Sequence, residues 1–145
     1  MSFGAAASGE ADHGGFPRVN GAGPCPCGSG GRFDGCCRPL LRGDPAPTAE
    51  RLMRSRYAAF VVGDARHLRE TWHPGTRPDE LLPDAAQRWT GLQILRVEAG
   101  GPDDVRGVVE FRAHWRLGRE RDVLQERSRF VRQSGSWWYL DGQVS

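Results

Sequence analysis

The chain contains no lysine; its twenty basic residues other than histidine are all arginines. They alternate with eighteen Asp and Glu residues, so the formal net charge is only +2 at pH 7. A balance that close to neutral excludes a strong electrostatic pull toward nucleic acid or a membrane surface. A solvated, mixed-sign surface is expected in place of an RNA-binding stripe. Long apolar runs are missing as well: no stretch reaches the roughly eighteen residues that a transmembrane helix needs. The N-terminus has neither a basic leader nor an apolar core segment, so no secretory signal is expected. HExxH, GxSxG, the P-loop and the dinucleotide-binding glycine fingerprint are all absent. Residues 1–22, rich in Gly, Ala and Ser, hold little to bury, and a disordered tail that includes His13 is expected there.

Cysteine is absent except in one stretch of thirteen residues, Cys25-Pro-Cys27-Gly-Ser-Gly-Gly-Arg-Phe-Asp-Gly-Cys36-Cys37. Two short cysteine pairs joined by a flexible turn can wrap one ion. Structural zinc takes four ligands in a closed tetrahedral shell, with thiolate sulfurs at about 2.3 Å. Gly28, Ser29, Gly30 and Gly31 supply the turn, and backbone N–H groups there can face the sulfurs. So short a segment has too little apolar surface to fold alone, so metal binding would supply its folding free energy. Disulfides compete with this reading, although adjacent Cys36 and Cys37 cannot bridge each other without strain. A redox-active C-x-C pair is the third reading. Zinc is the expected cofactor, with Cys25, Cys27, Cys36 and Cys37 as ligands. Thiolates kept for a metal fit a cytoplasmic, reducing location.

Cys25-Pro-Cys27-Gly-Ser-Gly, followed by Phe33 and Cys36-Cys37, resembles the SEC-C motif, the zinc-binding tail of the SecA translocation ATPase. The chain then runs through Arg54-Ser-Arg-Tyr57-Ala-Ala-Phe60, Thr71-Trp-His-Pro74, Glu126-Arg-Ser-Arg-Phe130 and Trp137 to Asp141-Gly142, and here it resembles the YchJ family of bacterial proteins. The resemblance covers roughly residues 24–142. It implies a SEC-C knuckle over 23–40 and a nuclear-transport-factor-2-like (cystatin-like) body over 47–145. Many members of that family carry a second SEC-C motif at the C-terminus; the sequence to Ser145 has none, so a function that needs two knuckles is not expected. The resemblance implies no particular biochemical activity.

The pattern along the chain independently predicts an α+β body. Thr48 is a good N-cap with Glu50 in the first turn. The helix it opens runs to about Val62 and stops at Gly63. Leu52, Met53, Tyr57, Phe60 and Val61 form its apolar stripe. Asp64 caps a second helix from Ala65 to about Trp72, closed by His73-Pro74. A short helical piece is expected from Asp79 to about Gln87, interrupted near Pro83. The period then changes to two. Leu92, Ile94 and Val97 mark one strand. Val109, Phe111, Ala113, Trp115 and Leu117 alternate with charged residues in the next. A third strand spans Arg121 to Gln133, and Ser134-Gly135 turns it into Trp137 to Leu140. Helices followed by a strand meander give helices packed on one face of a curved antiparallel sheet.

Polar residues facing into such a sheet are candidate pocket residues. In the third strand Glu126 and Ser128 share a face with Leu124 and Phe130 and are placed inward. Arg56 lies one turn from both Leu52 and Phe60, on or beside the buried stripe with Tyr57. Arg56 and Glu126 are therefore expected within salt-bridge distance. Such a pair either forms a polar pocket for a small ligand or is a structural buried ion pair. Trp72 and His73, at a helix end, offer a base, a ligand or a cap. His67 and His114 are read as unremarkable surface or packing residues. Asp141-Gly142 reads as a strand-ending turn, and the family resemblance leaves Asp141 an inward role.

The leading functional expectation is a non-enzymatic zinc adaptor. Its knuckle, presenting Arg32, Phe33 and Arg38, would dock a protein or ribonucleoprotein partner, and its body would supply dimerisation or a small-ligand cavity. The alternative is an isomerase- or hydratase-like enzyme using Glu126, His73 or Asp141 in that cavity. Placed between a tail and a Pro-rich linker, the knuckle is expected to make few contacts with the body.

Overall fold

Thr48 starts the longest helix as anticipated. In a computed structural model of the chain, described for residues 15–145, its hydroxyl accepts the Arg51 N–H at 3.1 Å and opens α2, Ala49–Val62. Before it come a 3-10 turn, Phe33–Gly35, and the short α1, Cys37–Leu41. Gly63 closes α2 in the left-handed conformation at φ 76°. It also leaves room for the Phe16 ring, which a side chain at this position would strike. Asp64 then caps α3, Ala65–Glu70, by accepting the His67 N–H at 3.0 Å.

The four strands are β1 (Gln87–Ala99), β2 (Arg106–Leu117), β3 (Glu120–Gln133) and β4 (Ser136–Val144). They form one antiparallel meander in the order β1-β2-β3-β4. On the inner face Val109, Phe111, Ala113, Phe130, Trp137 and Tyr139 are buried against Leu52, Met53, Tyr57 and Phe60 of α2. The outer face is a polar lattice. Arg127 pairs with Glu98 at 2.9 Å, Gln125 bridges Arg112 and Glu110, and Arg129 grips Asp141. Many of the arginines are thus matched locally, as the charge balance implied.

Four expectations are corrected. The segment 79–87 forms no helix. Proline at 78 and 83 removes two backbone donors, Leu81 and Pro83 are buried as anchors, and only a turn at Asp84 precedes β1. The second helix stops at Glu70, because Trp72 leaves it to bridge Tyr139 alongside β4. Asp141-Gly142 does not end a strand. A register shift at Arg129/Phe130 inserts a bulge, and β4 continues to Val144 with Gly142 opposite Ser128. Finally, much of the expected N-terminal tail, His13 included, lies outside the described residues, but 15–22 are packed: Phe16 covers Gly63, Val19 adjoins the core, and the Asp34 N–H donates to the Gly21 carbonyl at 3.0 Å.

Candidate metal centre and buried polar cluster

The knuckle is built from turns because its residues permit little else. Cys25 N–H donates to the Gly31 carbonyl at 2.9 Å and Phe33 N–H to Gly23 at 3.0 Å, which folds the two cysteine pairs face to face. All four cysteines are buried and unbridged. One ligand atom from each lies within 4.8 Å of the others. Cys27 and Cys36 sulfurs are 3.6 Å apart and Cys36 and Cys37 sulfurs 4.0 Å. A tetrahedron with zinc–sulfur bonds of about 2.3 Å has sulfur–sulfur edges of about 3.8 Å, so the donor set fits a closed thiolate shell. The Ser29 hydroxyl, 3.1 Å from the Cys36 sulfur, supplies an outer hydrogen bond.

Four bare thiols at this spacing compete for protons. Hydrogen bonds from Cys25 and Cys37 hold the Cys27 thiol far below the usual range. The same bonds work in the opposite direction on the donors: Cys25 is pushed up to about 12, chiefly by its bond to Cys27, and Cys37 is pushed up by its bonds to Cys25 and Cys27. A coordinated divalent ion removes that conflict, since a coordinating thiol is deprotonated outright.

The knuckle is not a loosely tethered module. The Arg54 Nη1 donates to the Cys27 carbonyl at 2.8 Å and the Arg51 Nη2 to the Cys36 carbonyl at 3.1 Å. Arg66 of α3 holds the Leu41 carbonyl at 2.8 Å. The cysteines, Phe33 and Leu41 belong to the same apolar core as α2. Phe33, expected on a partner surface, is only 4% exposed. A knuckle with so few apolar residues needs it inside, and Arg38 lies over its ring at 5.1 Å. Arg32 is exposed and Arg38 half-buried.

Beneath the sheet the structure assembles a second cluster. Arg56, 0% exposed, donates through Nη1 to the Leu68 carbonyl at 2.8 Å and to Thr71 Oγ1 at 2.7 Å. Its Nε and Nη2 have no hydrogen-bond partner among the described residues. They lie between aromatic faces instead, with the guanidinium 4.5 Å from the Tyr139 ring centre and 5.3 Å from that of Trp72. Burial pushes the Arg56 guanidinium down to about 10, against the opposing pull of Tyr139 and Glu126, so it stays charged at neutral pH. Glu126 Oε2 accepts from the Ser128 hydroxyl at 2.6 Å and from the Tyr139 hydroxyl at 2.9 Å. The direct Arg56–Glu126 bridge expected from the sequence is therefore not made. Tyr139 stands between the two charges, its face to the cation and its hydroxyl to the anion.

The other candidate pocket residues go elsewhere. Tyr57 is buried edge-on to Trp89 at 6.4 Å, and burial pushes its hydroxyl up. Trp72 packs edge-on against Tyr139 at 4.8 Å. His73 accepts the Gly75 N–H on Nδ1 at 3.0 Å and donates from Nε2 to Gln133 at 2.8 Å, which accounts for both ring nitrogens. Asp141 faces outward to Arg129, whose guanidinium lowers its carboxyl. The bulge in β4 turns it away from Glu126. His67, read as unremarkable, is instead buried. Ser55 Oγ donates to the Leu52 carbonyl at 2.8 Å, so His67 Nε2 must donate to Ser55 across 2.9 Å. Tyr139 and Gly142 complete the cluster. The inward period of β4 pointed to Tyr139, but aromatic residues on both faces of that strand hid which one mattered.

A family model described as YchJ, middle NTF2-like domain, matches residues 48–142. A UPF0225 protein of Streptomyces coelicolor is 51% identical over 121 residues, covering 83% of this chain and 94% of that protein. Another from Chromobacterium violaceum is 46% identical over 126 residues, covering 83% and 93%. In solved structures the chain is similar to a SEC-C motif containing protein from Rhodopseudomonas palustris, with TM-score 0.72, 35% identity and coverage of 83% of this chain and 98% of that one. It is also similar to one from Psychrobacter arcticus, with TM-score 0.66, 28% identity and coverage of 83% and 82%. With its N-terminal four-cysteine cluster and NTF2-like α+β body, the chain belongs to the YchJ (UPF0225) family of SEC-C motif proteins.

Proposed function

We propose that the protein is a zinc-stabilised adaptor. In this reading the four cysteines hold one structural zinc ion, and the knuckle, braced on α2, presents a protein-binding surface that includes Arg32 and Arg38. The observation that carries it is the closed, fully buried set of four sulfurs within 4.8 Å. A catalytic zinc keeps a position open for water or substrate, whereas four buried thiolates complete the shell and leave a structural role. The convergent polar residues of the body bond mainly to one another and to the backbone, and Arg56, Glu126 and Ser128 are each 0% exposed. No observation favours the enzymatic reading over this one.

Elemental analysis of protein purified under reducing conditions tests the metal, with about one zinc per chain expected. A pull-down from the native organism tests the adaptor role. Arg32→Glu alters the exposed knuckle surface without touching a ligand and is expected to lose partners that wild type retains. Cys36→Ser with Cys37→Ser serves as the metal-loss control. Zinc-free protein, or partner sets identical for all three proteins, would refute the reading.

A further inference from the structure

The segment 16–19, the knuckle and the α2–α3 corner line an open cleft of about 620 Å³. Four arginines line it: Arg18, Arg38, Arg42 and Arg66. Among the described residues Asp64 is the one acidic residue in the lining, and its carboxylate already accepts the His67 N–H as the α3 cap. Arg38 is matched by Asp34, and Arg66 by Glu70 and the Leu41 carbonyl. Arg18 and Arg42 are exposed and make no ion pair among the described residues. On the outer sheet face, by contrast, Arg96, Arg127 and Arg129 each have an acid partner. The described lining of this cleft therefore carries a local excess of positive charge. Its walls also carry apolar surface from Phe16, Leu41 and Val62.

We propose that this cleft docks an acidic peptide segment of a partner protein, with Arg18 and Arg42 receiving its carboxylates and the apolar walls receiving an aliphatic or aromatic side chain between them. The proposal rests on the adaptor reading and names the partner's chemistry. Guanidinium groups match carboxylates in a planar, two-point geometry, and an interface gains from an apolar anchor ringed by polar contacts. Nucleic acid is the poorer match. A phosphate backbone calls for an extended basic track, whereas this chain has net charge +2 and the cleft is short and apolar-walled.

The test selects binders from a random phage-displayed peptide library on the full-length protein at low salt. Selected peptides are then synthesised and titrated by fluorescence anisotropy. Two or more Asp or Glu residues flanking an apolar residue are expected among the enriched sequences. Binding is expected to fall about tenfold or more in an Arg18→Glu, Arg42→Glu double variant, and equally when the peptide acids are replaced by their amides. Both arginines are exposed, so the double variant should keep the wild-type melting temperature; Arg18→Gln with Arg42→Gln, expected to weaken binding less, serves if it does not. Acid-poor binders, or acidic binders indifferent to the charge changes, would overturn the proposal. So would a single-stranded RNA homopolymer that binds in an Arg18- and Arg42-dependent way while no peptide is selected. A library without binders overturns the cleft assignment alone, because the zinc analysis and the pull-down test the adaptor reading separately.

Discussion

Gly142 has no side chain, and the carboxylate of Glu126 occupies the room one would take. A Cβ there would collide with Glu126 Oε2 and come within 2.8 Å of the Tyr139 hydroxyl. Gly142→Ala should therefore cost about 1–3 kcal/mol or more by overpacking a buried polar cluster. Pairing it with Glu126→Ala should return part of that loss, a coupling of about 1–3 kcal/mol in a denaturant-unfolding cycle; strict additivity would mean the clash does not exist. His67 makes a second residue-scale prediction. Burial, followed by the nearby Arg56 and Arg66, pushes its imidazole down to about 3 from the ordinary 6.5. The unfolded chain then binds a proton that the folded chain refuses across that window. This contribution is complete above pH 6.5 and is lost as pH falls toward 3. Wild type should lose about 3 kcal/mol between pH 7 and pH 4 that a His67→Gln variant does not. Comparing the two variants cancels acid effects on the cysteines that both share, and equal slopes would show that His67 is not the group titrating. Sequence periodicity made Glu126 and Ser128 legible as inward residues. It could not show that His67 would be capped into the core by Asp64 and Ser55.

At the scale of elements, α2 does two jobs with two faces. Its apolar stripe covers the sheet, while Arg51 and Arg54, nearly one turn apart, hold carbonyls of the knuckle. Replacing both with alanine should detach the knuckle at a cost of about 1–2 kcal/mol, since charged donors to part-buried carbonyls sit near the upper range for single hydrogen bonds. Faster loss of metal to a competing chelator should accompany the lower melting temperature. Unchanged exchange would mean that the knuckle stands by itself. The caps and breaks of α2 and α3 were readable because Thr48, Gly63 and Asp64 act through chemistry local to one turn. The end of β4 was not. Asp-Gly favours turns, but pairing with β3 carries the strand past Gly142, and a bulge adjusts the phase.

For the molecule as a whole, knuckle and body share one core, so metal removal should not be a local event. Chelation under reducing conditions is expected to lower the single melting temperature by about 10 °C, the size of a few kcal/mol of ligand linkage in a domain of this length. For the same reason a truncation starting at Pro45 should melt well below the full chain, because it uncovers the α2 surface on which the cysteines and Leu41 pack. A body whose melting is indifferent to chelation and truncation would contradict the shared core. Among the described residues no helix is long and apolar enough to cross a membrane.

The sequence by itself determined the cysteine set, the α+β class, the helix caps and the inward face of β3. Each of these depends on spacing or on chemistry confined to a turn, and both can be read along one chain. Tertiary structure decided what those residues meet. Only three-dimensional packing could insert Tyr139 between Arg56 and Glu126, because burying two opposite charges depends on which side chains fill the space between them. Only packing could make Gly142 the floor of that cluster, turn Asp141 outward through a bulge, and draw Phe33 into the knuckle. The arginine lining of the cleft emerges in the same way: Arg18, the Arg38 and Arg42 pair, and Arg66 come from separate stretches of sequence, and the docking of the knuckle on α2 brings their charges together.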